Sequence, residues 1–271
     1  MLTDLTLSTR LERAEGRSGA DFVEARARLS PEVGAAWREM GGAYVLFDGP
    51  ASPITQTFAL GLTEPVTEGL LDEIDGFFAE RGAPTFHEVS PIADDRVLQL
   101  LPARGFRPIE LTAVMFRPLT PAEVAPGAAV GVVARPITDA DHATWIETSV
   151  AGWSEFAEYA PMMRELGRIS VERRDAQCFL AELDGQPTAT GALAIAHGVA
   201  ILAGASTLPS ARGRGAQNAL LHARLRAAEA SGCDLALMCA KPGSASQRNA
   251  ERHGFRIAYT RIKWGRPAAG A

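Results

Sequence analysis

The stretch Ala200-Ile-Leu-Ala-Gly-Ala-Ser-Thr-Leu-Pro-Ser-Ala-Arg-Gly-Arg-Gly-Ala-Gln-Asn-Ala-Leu-Leu221 carries the most information in the chain. A β-prone run, Val199 to Ser206, leads through Pro209 into Arg212-Gly213-Arg214-Gly215, and a helical pattern begins at once. Strand, glycine-rich turn and helix in that order make a cradle for an anion. The glycines let the backbone turn sharply and approach a ligand, and the first N–H groups of a helix have no intrahelical partner and face outward. Arg212 and Arg214 add fixed positive charge. The pattern predicts a bound pyrophosphate.

Working outward, the helix is expected from Gln217 to Ala230, with Leu221, Leu225 and Ala228 as its core stripe and Gly232 as its stop. A strand at Leu235–Cys239, a helix at Ser244–Arg252 ended by Gly254, and a strand at Arg256–Trp264 follow; Pro267–Ala271 reads as a frayed end. Upstream, Cys178–Leu183 and Thr188–Ala196 form a hairpin across Asp184-Gly185, a strong turn dipeptide. Before it come a strand at Ala129–Ala134, a helix capped by Thr138 or Asp139, an aromatic and acidic loop from Trp153 to Tyr159, and a helix from Pro161 to Arg173.

The N-terminal half has its own series. Helical spacing runs from Leu2 to Leu29, with Asp21 a candidate cap for its last part. Strands are expected at Tyr44–Phe47, Ile54–Leu62, Thr85–Val89 and Ile109–Phe116, with helices at Thr67–Arg81 and Asp94–Arg104. Pro118, Pro121, Pro126 and Gly127 then mark a linker, because proline cannot extend a ladder and restricts its predecessor. The expected domains are 1–120 and 128–271, with the boundary at 120–127. Two domains of ordinary size suit a chain of 271 residues.

The ends of the two halves repeat. Gly82, a strand, Ser90-Pro91, a helix and Gly105-Phe106 are matched by Gly232, a strand, Lys241-Pro242, a helix and Gly254-Phe255. Gly82 and Gly105 are 23 residues apart, and Gly232 and Gly254 are 22. Pro65 to Gly82 spans 17 residues where Pro209 to Gly232 spans 23, so the first half is shorter at the place of the glycine-rich turn. Two copies of one α/β unit, of which the second alone keeps a phosphate cradle, would account for both facts.

Composition is that of a globular protein, 46% hydrophobic and 22% charged. A net charge of −5 argues against a nucleic-acid coat, and no run reaches the ~20 apolar residues of a membrane span. Cys178, Cys233 and Cys239 are odd in number and lack metal spacing, which suits reduced thiols in the cytoplasm. The N-terminus has no uninterrupted apolar core of a signal peptide. A cytoplasmic location, no metal, no nucleic-acid partner and no membrane partner are expected.

The second half, from about 129 to 264, resembles the GNAT superfamily of acetyl-CoA-dependent N-acetyltransferases. Arg212-Gly213-Arg214-Gly215-Ala216-Gln217 matches that family's pyrophosphate signature at the first position, an arginine or glutamine, and at the fourth, a glycine. At the sixth, Gln217 stands where glycine or alanine is usual, and would either crowd the loop or offer its amide to phosphate. Pro209 and the Gly254-Phe255 helix end also fit. The resemblance implies an α/β (mixed α+β) fold of two GNAT-like units, each a mixed, mostly antiparallel central sheet flanked by helices. The first would be degenerate, since Gly61-Leu62-Thr63-Glu64-Pro65-Val66-Thr67 offers no cradle.

It further implies acetyl-CoA as co-substrate. Backbone groups of Ala205, Ser206 and Thr207 would pair with pantetheine, and Arg212, Gly213, Arg214, Gly215, Ala216, Gln217 and Asn218 would hold the pyrophosphate. Ser246 matches a small polar position of a CoA-facing helix. The loop bordering the acceptor would contribute Trp153, Glu155 and Tyr159. The usual tyrosine acid is replaced by Ala250, Gly243 stands where asparagine is frequent, and Val199–Ser206 lacks the usual glutamate base, so no catalytic residue is named. Tyr259 could face the cleft, while His253, His197 and Cys239 have structural readings. The expected activity is acetyl transfer to a primary amine of a small molecule, by direct transfer in a ternary complex. A non-catalytic acyl-CoA sensor and a peptide or protein acetyltransferase are the alternatives, and the chain would be a monomer or homodimer.

Overall fold

The computed structural model describes residues 3–119 and 131–266. The expected linker at 120–127, the start of the strand expected at Ala129, and the tail 267–271 lie outside the described residues. The chain divides into two compact units, Met1–Arg117 with Leu237–Ala271, and Pro118–Ala236. The expected second half ran on to the C-terminus; the structure instead groups the residues from Leu237 onward with the N-terminal ones.

The first unit opens with α1 (Leu5–Leu29), one continuous helix. Its N-cap is Asp4, whose side chain accepts from the Leu7 N–H at 2.9 Å. Asp21, expected to cap a separate segment, lies inside the helix and pairs with Arg17 instead. Leu7, Leu11, Ala14, Ser18 and Phe22 are buried at helical spacing, and no proline interrupts them.

Strands β1 (Ala36–Met40), β2 (Ala43–Phe47), β3 (Gln56–Phe58), β4 (Phe86–Val89), β5 (Arg107–Pro118), β10 (Leu235–Ala240) and β11 (Arg256–Gly265) follow the order β1-β2-β3-β4-β11-β5-β10. β1, absent from the sequence reading, pairs with β2 across Gly41-Gly42, both at positive φ. β3 is shorter than expected because Ala59 turns left-handed, at φ 63°, directly after it. β2 is buried on both faces. Tyr44 and Leu46 meet Ala20 and Val23 of α1, while Ala43, Val45 and Phe47 meet α2 (Glu68–Ala79) and α3 (Val97–Ala103) through Leu71, Ile74, Phe78 and Leu101.

The strand that ends the chain, β11, runs antiparallel between β4 and β5, with Ile262 opposite Val89 and Thr260 opposite Ala113. Two strands of the N-terminal half are thus parted by the C-terminal one. This insertion is why the C-terminal segment groups with the first unit.

The second unit holds β6 (Val132–Pro136), α4 (His142–Ala151), α5 (Ala160–Val171), β7 (Ala176–Leu183), β8 (Gln186–Ala196), β9 (Val199–Thr207) and α6 (Ala216–Ala230). Its strands lie in the order β9-β8-β7-β6, antiparallel throughout. Cys178 and Leu180 of β7 pack on Trp145 of α4, and Leu183 packs with Ala219 of α6, so helices cover both faces. The β7–β8 hairpin turns at Asp184-Gly185 (φ 52° and 75°), as expected.

Helix α7 (Ala245–Arg252) completes the first unit. The series α2, β4, α3, β5 has the same element order as α6, β10, α7, β11. Gly82, Gly105, Gly232 and Gly254 all take positive φ, and the residue after each donates to the carbonyl five positions back. These bonds are Ala83 to Phe78, Phe106 to Leu101, Cys233 to Ala228 and Phe255 to Ala250, at 3.0, 3.0, 3.0 and 3.1 Å. Matching glycine spacing therefore reflects four helices closed by one backbone device.

Candidate functional site

Every element from β8 to α6 lies in the second unit. Thr190 pairs with Ser206, but the next pair is Ala192 with Ala203, so Gly204 and Ala205 face Gly191 alone. This is a bulge, and Gly204 provides its left-handed residue at φ 61°. Ala203, Gly204 and Ala205 are exposed in the middle of an otherwise buried strand, although the Ala203 and Gly204 carbonyls already accept from Arg224 and the Thr190 hydroxyl.

Arg224 of α6 lies beneath the bulge. It donates to the carbonyls of Ala203, Ala192 and Leu220, each at 3.2 Å. It is buried, and burial lowers its pKa to about 10, which still leaves it charged at neutral pH. A side chain at Gly191 would bring its Cβ within 2.9 Å of the guanidinium carbon, so glycine there makes room for the arginine. The sequence reading passed over this residue. Its signal was available: an arginine between Leu221 and Ala228, on the core stripe of the helix.

The chain leaves β9 through a short 3-10 turn, Pro209–Ala211, and bends at Gly213 and Gly215, with φ 76° and 88°. Gly215 is the N-cap of α6, and no side chain caps that helix. The N–H groups of Gly213, Gly215, Ala216, Gln217 and Asn218 make no hydrogen bond to the described residues. Five outward backbone donors at the positive end of a 15-residue helix form a fitting seat for a pyrophosphate.

The corresponding helix end of the first unit is closed by its own side chains. Thr67 accepts from the Leu70 N–H, Glu68 stands in the first turn of α2, and Asp94 accepts from the Val66 N–H at 2.9 Å. One carboxylate, that of Asp94, and one hydroxyl, that of Thr67, thus accept from backbone N–H groups at this helix end.

Gln217 fits without crowding the loop. Its amide turns back and donates to the Ser206 carbonyl at 2.8 Å and to the Thr207 hydroxyl at 2.9 Å, bracing α6 against β9. The Ser206 hydroxyl donates to Ser149 at the end of α4, at 2.8 Å. Gly152 follows there, and a Cβ on it would lie 1.9 Å from the Ser206 hydroxyl. Arg214 is exposed and 3.7 Å from Asp184.

Glu155 and Tyr159 lie on an exposed 3-10 segment, Ser154–Tyr159, after α4, and Trp153 is the residue that caps it. Arg212 reaches this segment from the cradle, donating to Glu155 at 2.6 Å and to the Gly152 carbonyl at 3.1 Å. The structure thus brings the expected phosphate-side arginine and the expected acceptor-side glutamate into one ion pair. Sequence spacing could not reveal it, because the two are 57 residues apart.

The remaining candidates fall in the first unit. Ser246 is an exposed residue of α7, whose N-cap is Ser244. Tyr259 does not face open space: it is buried and donates to Glu12 at 2.9 Å. Burial and the neighbouring carboxylate push its hydroxyl well above its ordinary pKa, so it keeps its proton and shares it with Glu12. Cys239 lies against Glu15, and burial holds its thiol protonated. His253 follows α7 as its C-cap, its Nδ1 2.7 Å from the Asn249 carbonyl. In the second unit, His197 takes φ 51° in the turn between β8 and β9. Among the described residues no cluster of three or more His, Cys, Asp or Glu could hold a metal, and no helix is long and apolar enough to cross a membrane.

Solved structures share this architecture. A GCN5-related N-acetyltransferase from Kribbella flavida superposes with a TM-score of 0.67 at 21% identity, covering 94% of this chain and 96% of that one. A tandem GNAT protein from the clavulanic acid biosynthesis pathway, without AcCoA, gives 0.59 at 13% identity, over 97% and 96% of the two chains. One from Sphaerobacter thermophilus, also a GCN5-related N-acetyltransferase, gives 0.58 at 17%, over 80% and 74%. At these identities the likeness establishes the fold: mixed α+β, with a mostly antiparallel open sheet flanked by helices. No curated protein matches the sequence. The sequence pattern of the acetyltransferase (GNAT) family matches residues 140–255, which take in the bulge, the bare helix end and the Gly254-Phe255 cap. Over those residues, somewhat under half of its length, the chain is similar to the acetyltransferase (GNAT) family.

Proposed function

We propose that the chain is an acetyl-CoA-dependent N-acetyltransferase, moving an acetyl group to a primary amine of a small molecule by direct transfer in a ternary complex. The observation that carries this reading is the uncapped end of α6, with its free backbone donors, directly after a bulged strand. The pyrophosphate of acetyl-CoA would rest on the N–H groups from Gly213 to Asn218. Backbone groups at Ala205 to Thr207, beside the bulge, would pair with the pantetheine arm.

In the transfer, the neutral amine nitrogen attacks the thioester carbonyl. The C–N bond forms and the C–S bond breaks, its electron pair leaving on sulfur. The nitrogen loses a proton, the thiolate takes one up, and amide and free CoA thiol result. A backbone N–H near Ser206 would polarise the carbonyl oxygen as charge develops on it. Tyr259 is engaged by Glu12 and the Cys239 thiol lies against Glu15, so the protons are assigned to water rather than to a named side chain. That absence of a free acid is what favours a second reading, a protein that binds acyl-CoA without transfer.

In the same proposal, the N-terminal half is a degenerate copy that does not take CoA, because Thr67 and Asp94 engage donors at its helix end and Glu68 adds negative charge to the first turn. A cytoplasmic protein, monomeric or dimeric, suits three cysteines that are all free thiols.

Calorimetry with acetyl-CoA, and thiol release with a panel of amines, test the reading. The Gly215→Glu variant places a carboxylate where phosphate would lie, on a residue at φ 88°. It is expected to lose acetyl-CoA binding by at least about a hundredfold, from charge repulsion with lost donor geometry. Unchanged affinity in that variant refutes the cradle. Binding without thiol release supports the sensor instead.

A further inference from the structure

Between α4 and α5, three large rings stand in solvent. Trp153, Phe156 and Tyr159 are 38%, 48% and 46% exposed, and their ring centres follow one another at 6.3 and 6.2 Å. Contiguous exposed apolar surface of this kind commonly marks a binding site. The rings also lack something that others in the chain have. Tyr44, Trp37, Phe77, Phe58, Phe86 and Phe106 each carry an arginine or lysine over the ring, at 3.9 to 5.2 Å. No cation among the described residues lies over Trp153, Phe156 or Tyr159.

The charge of the same segment is negative only. Trp153 to Tyr159 contains Glu155 and Glu158 and no basic residue. Glu155 is held by Arg212 at 2.6 Å. Glu158 is exposed and makes no hydrogen bond or ion pair with a described residue. Uncovered ring faces attract cations through their quadrupole, and a neighbouring carboxylate adds to that attraction. The bond from Arg212 ties the segment to the turn before α6, so a ligand here lies beside the proposed cofactor cradle.

We propose that this row is the acceptor subsite, and that the acceptor is an arylalkylamine: an ammonium received by Glu158 and a ring face, joined to a flat apolar body lying along the row. The assignment rests on the acetyltransferase reading above. Glu155 is left to orient Arg212, and Phe156 joins Trp153 and Tyr159 as a specificity-determining residue.

The test measures binding of three probes by calorimetry: 2-phenylethylamine, ethylamine, and 2-phenylethanol. The first should bind about tenfold or more tighter than either of the others. Phe156→Ala and Glu158→Gln should each weaken it by about tenfold while acetyl-CoA affinity stays as in the wild type. Both side chains are exposed, and an unchanged thermal midpoint checks that each variant folds. Equal binding of the three probes, or indifference to both substitutions, overturns the proposal. So does a Phe156→Ala variant that turns a dimer into a monomer and leaves the probes unaffected, which would make the row a self-association surface. Ring-dependent binding without thiol release counts against transfer and not against the subsite. Thiol release that ignores the amine's body counts against the subsite alone.

Discussion

Arg261 of the first unit and Arg224 of the second are both buried, and they are neutralised in opposite ways. Arg261 of the first unit is surrounded by carboxylates: Glu88 at 2.9 Å, Glu15 at 2.7 Å and Glu12 at 3.3 Å. Arg224 of the second unit has carbonyl oxygens as its hydrogen-bond partners, and no carboxylate among them. Around Arg261 acid is in excess. Burial raises Glu12 to about 7 against the pull of Arg261, and raises Glu88 as well, so the cluster tends to keep a proton. Around Arg224 positive charge is in excess, under the bulged strand of the proposed cofactor site. The first arrangement serves to lock α1 onto β4 and β11. The second holds a strand in an irregular shape and leaves a net positive field there, where a phosphorylated, thioester-bearing ligand would be welcome.

The largest effect is expected from Arg261→Met. It strands three carboxylates, two of them fully buried, and should cost about 3–5 kcal/mol in chemical denaturation, enough to leave much of the protein unfolded. A loss below about 1 kcal/mol would mean that the carboxylates simply take up protons and that the cluster is no lock.

Arg224→Met should cost less, about 1–3 kcal/mol, because it leaves carbonyls without donors but no buried anion. Its acetyl-CoA affinity should fall by more than its stability explains, read by calorimetry at a temperature where the variant is folded. Wild-type affinity in a folded variant would show that the bulge stands without the arginine.

The smallest effect is with pH. Glu12 binds its proton more tightly folded, at about 7, than in the unfolded chain, near its ordinary 4.5. Its contribution is therefore fully present below 4.5 and is lost as pH rises through 7. The groups facing it are Arg261, Glu15, Glu88 and Tyr259, and Glu88 shifts in the same sense. The unfolding free energy from denaturant titrations should fall between about pH 5 and pH 8 by on the order of 2 kcal/mol, and Glu12→Gln should flatten that slope. A slope unchanged in the variant would assign the proton elsewhere.

Much of the fold could be read from residues whose effect is local. Asp184-Gly185 fixed its hairpin, and the four glycine caps gave the helix ends, because turn chemistry depends on a few adjacent positions. The bare end of α6 was visible as Arg-Gly-Arg-Gly between a strand and a helix. What escaped depends on partners distant in sequence. β1 was missed because Trp37-Arg38-Glu39 alternates weakly and gains its place from β2. Gln217 looked like a misfit until Ser206 and Thr207 gave its amide a use. Tyr259 looked available until Glu12, 247 residues away in sequence, took its hydroxyl.

The place of β11 between β4 and β5 has a consequence for how the protein comes to be made. During synthesis β4 and β5 are complete long before β11 exists, and the whole second unit must be translated in between. Until then two strands of the first unit expose unpaired edges, which are templates for wrong pairing. The contacts that finish this sheet join the beginning of the chain to its end, so their loop-closure cost is deferred to the last step of folding. The N-terminal half is therefore not an autonomous module to be cut out and moved. A fragment ending near residue 120 would lack the strand that joins its sheet, and a chain shortened before Arg256 would be damaged first at its opposite end.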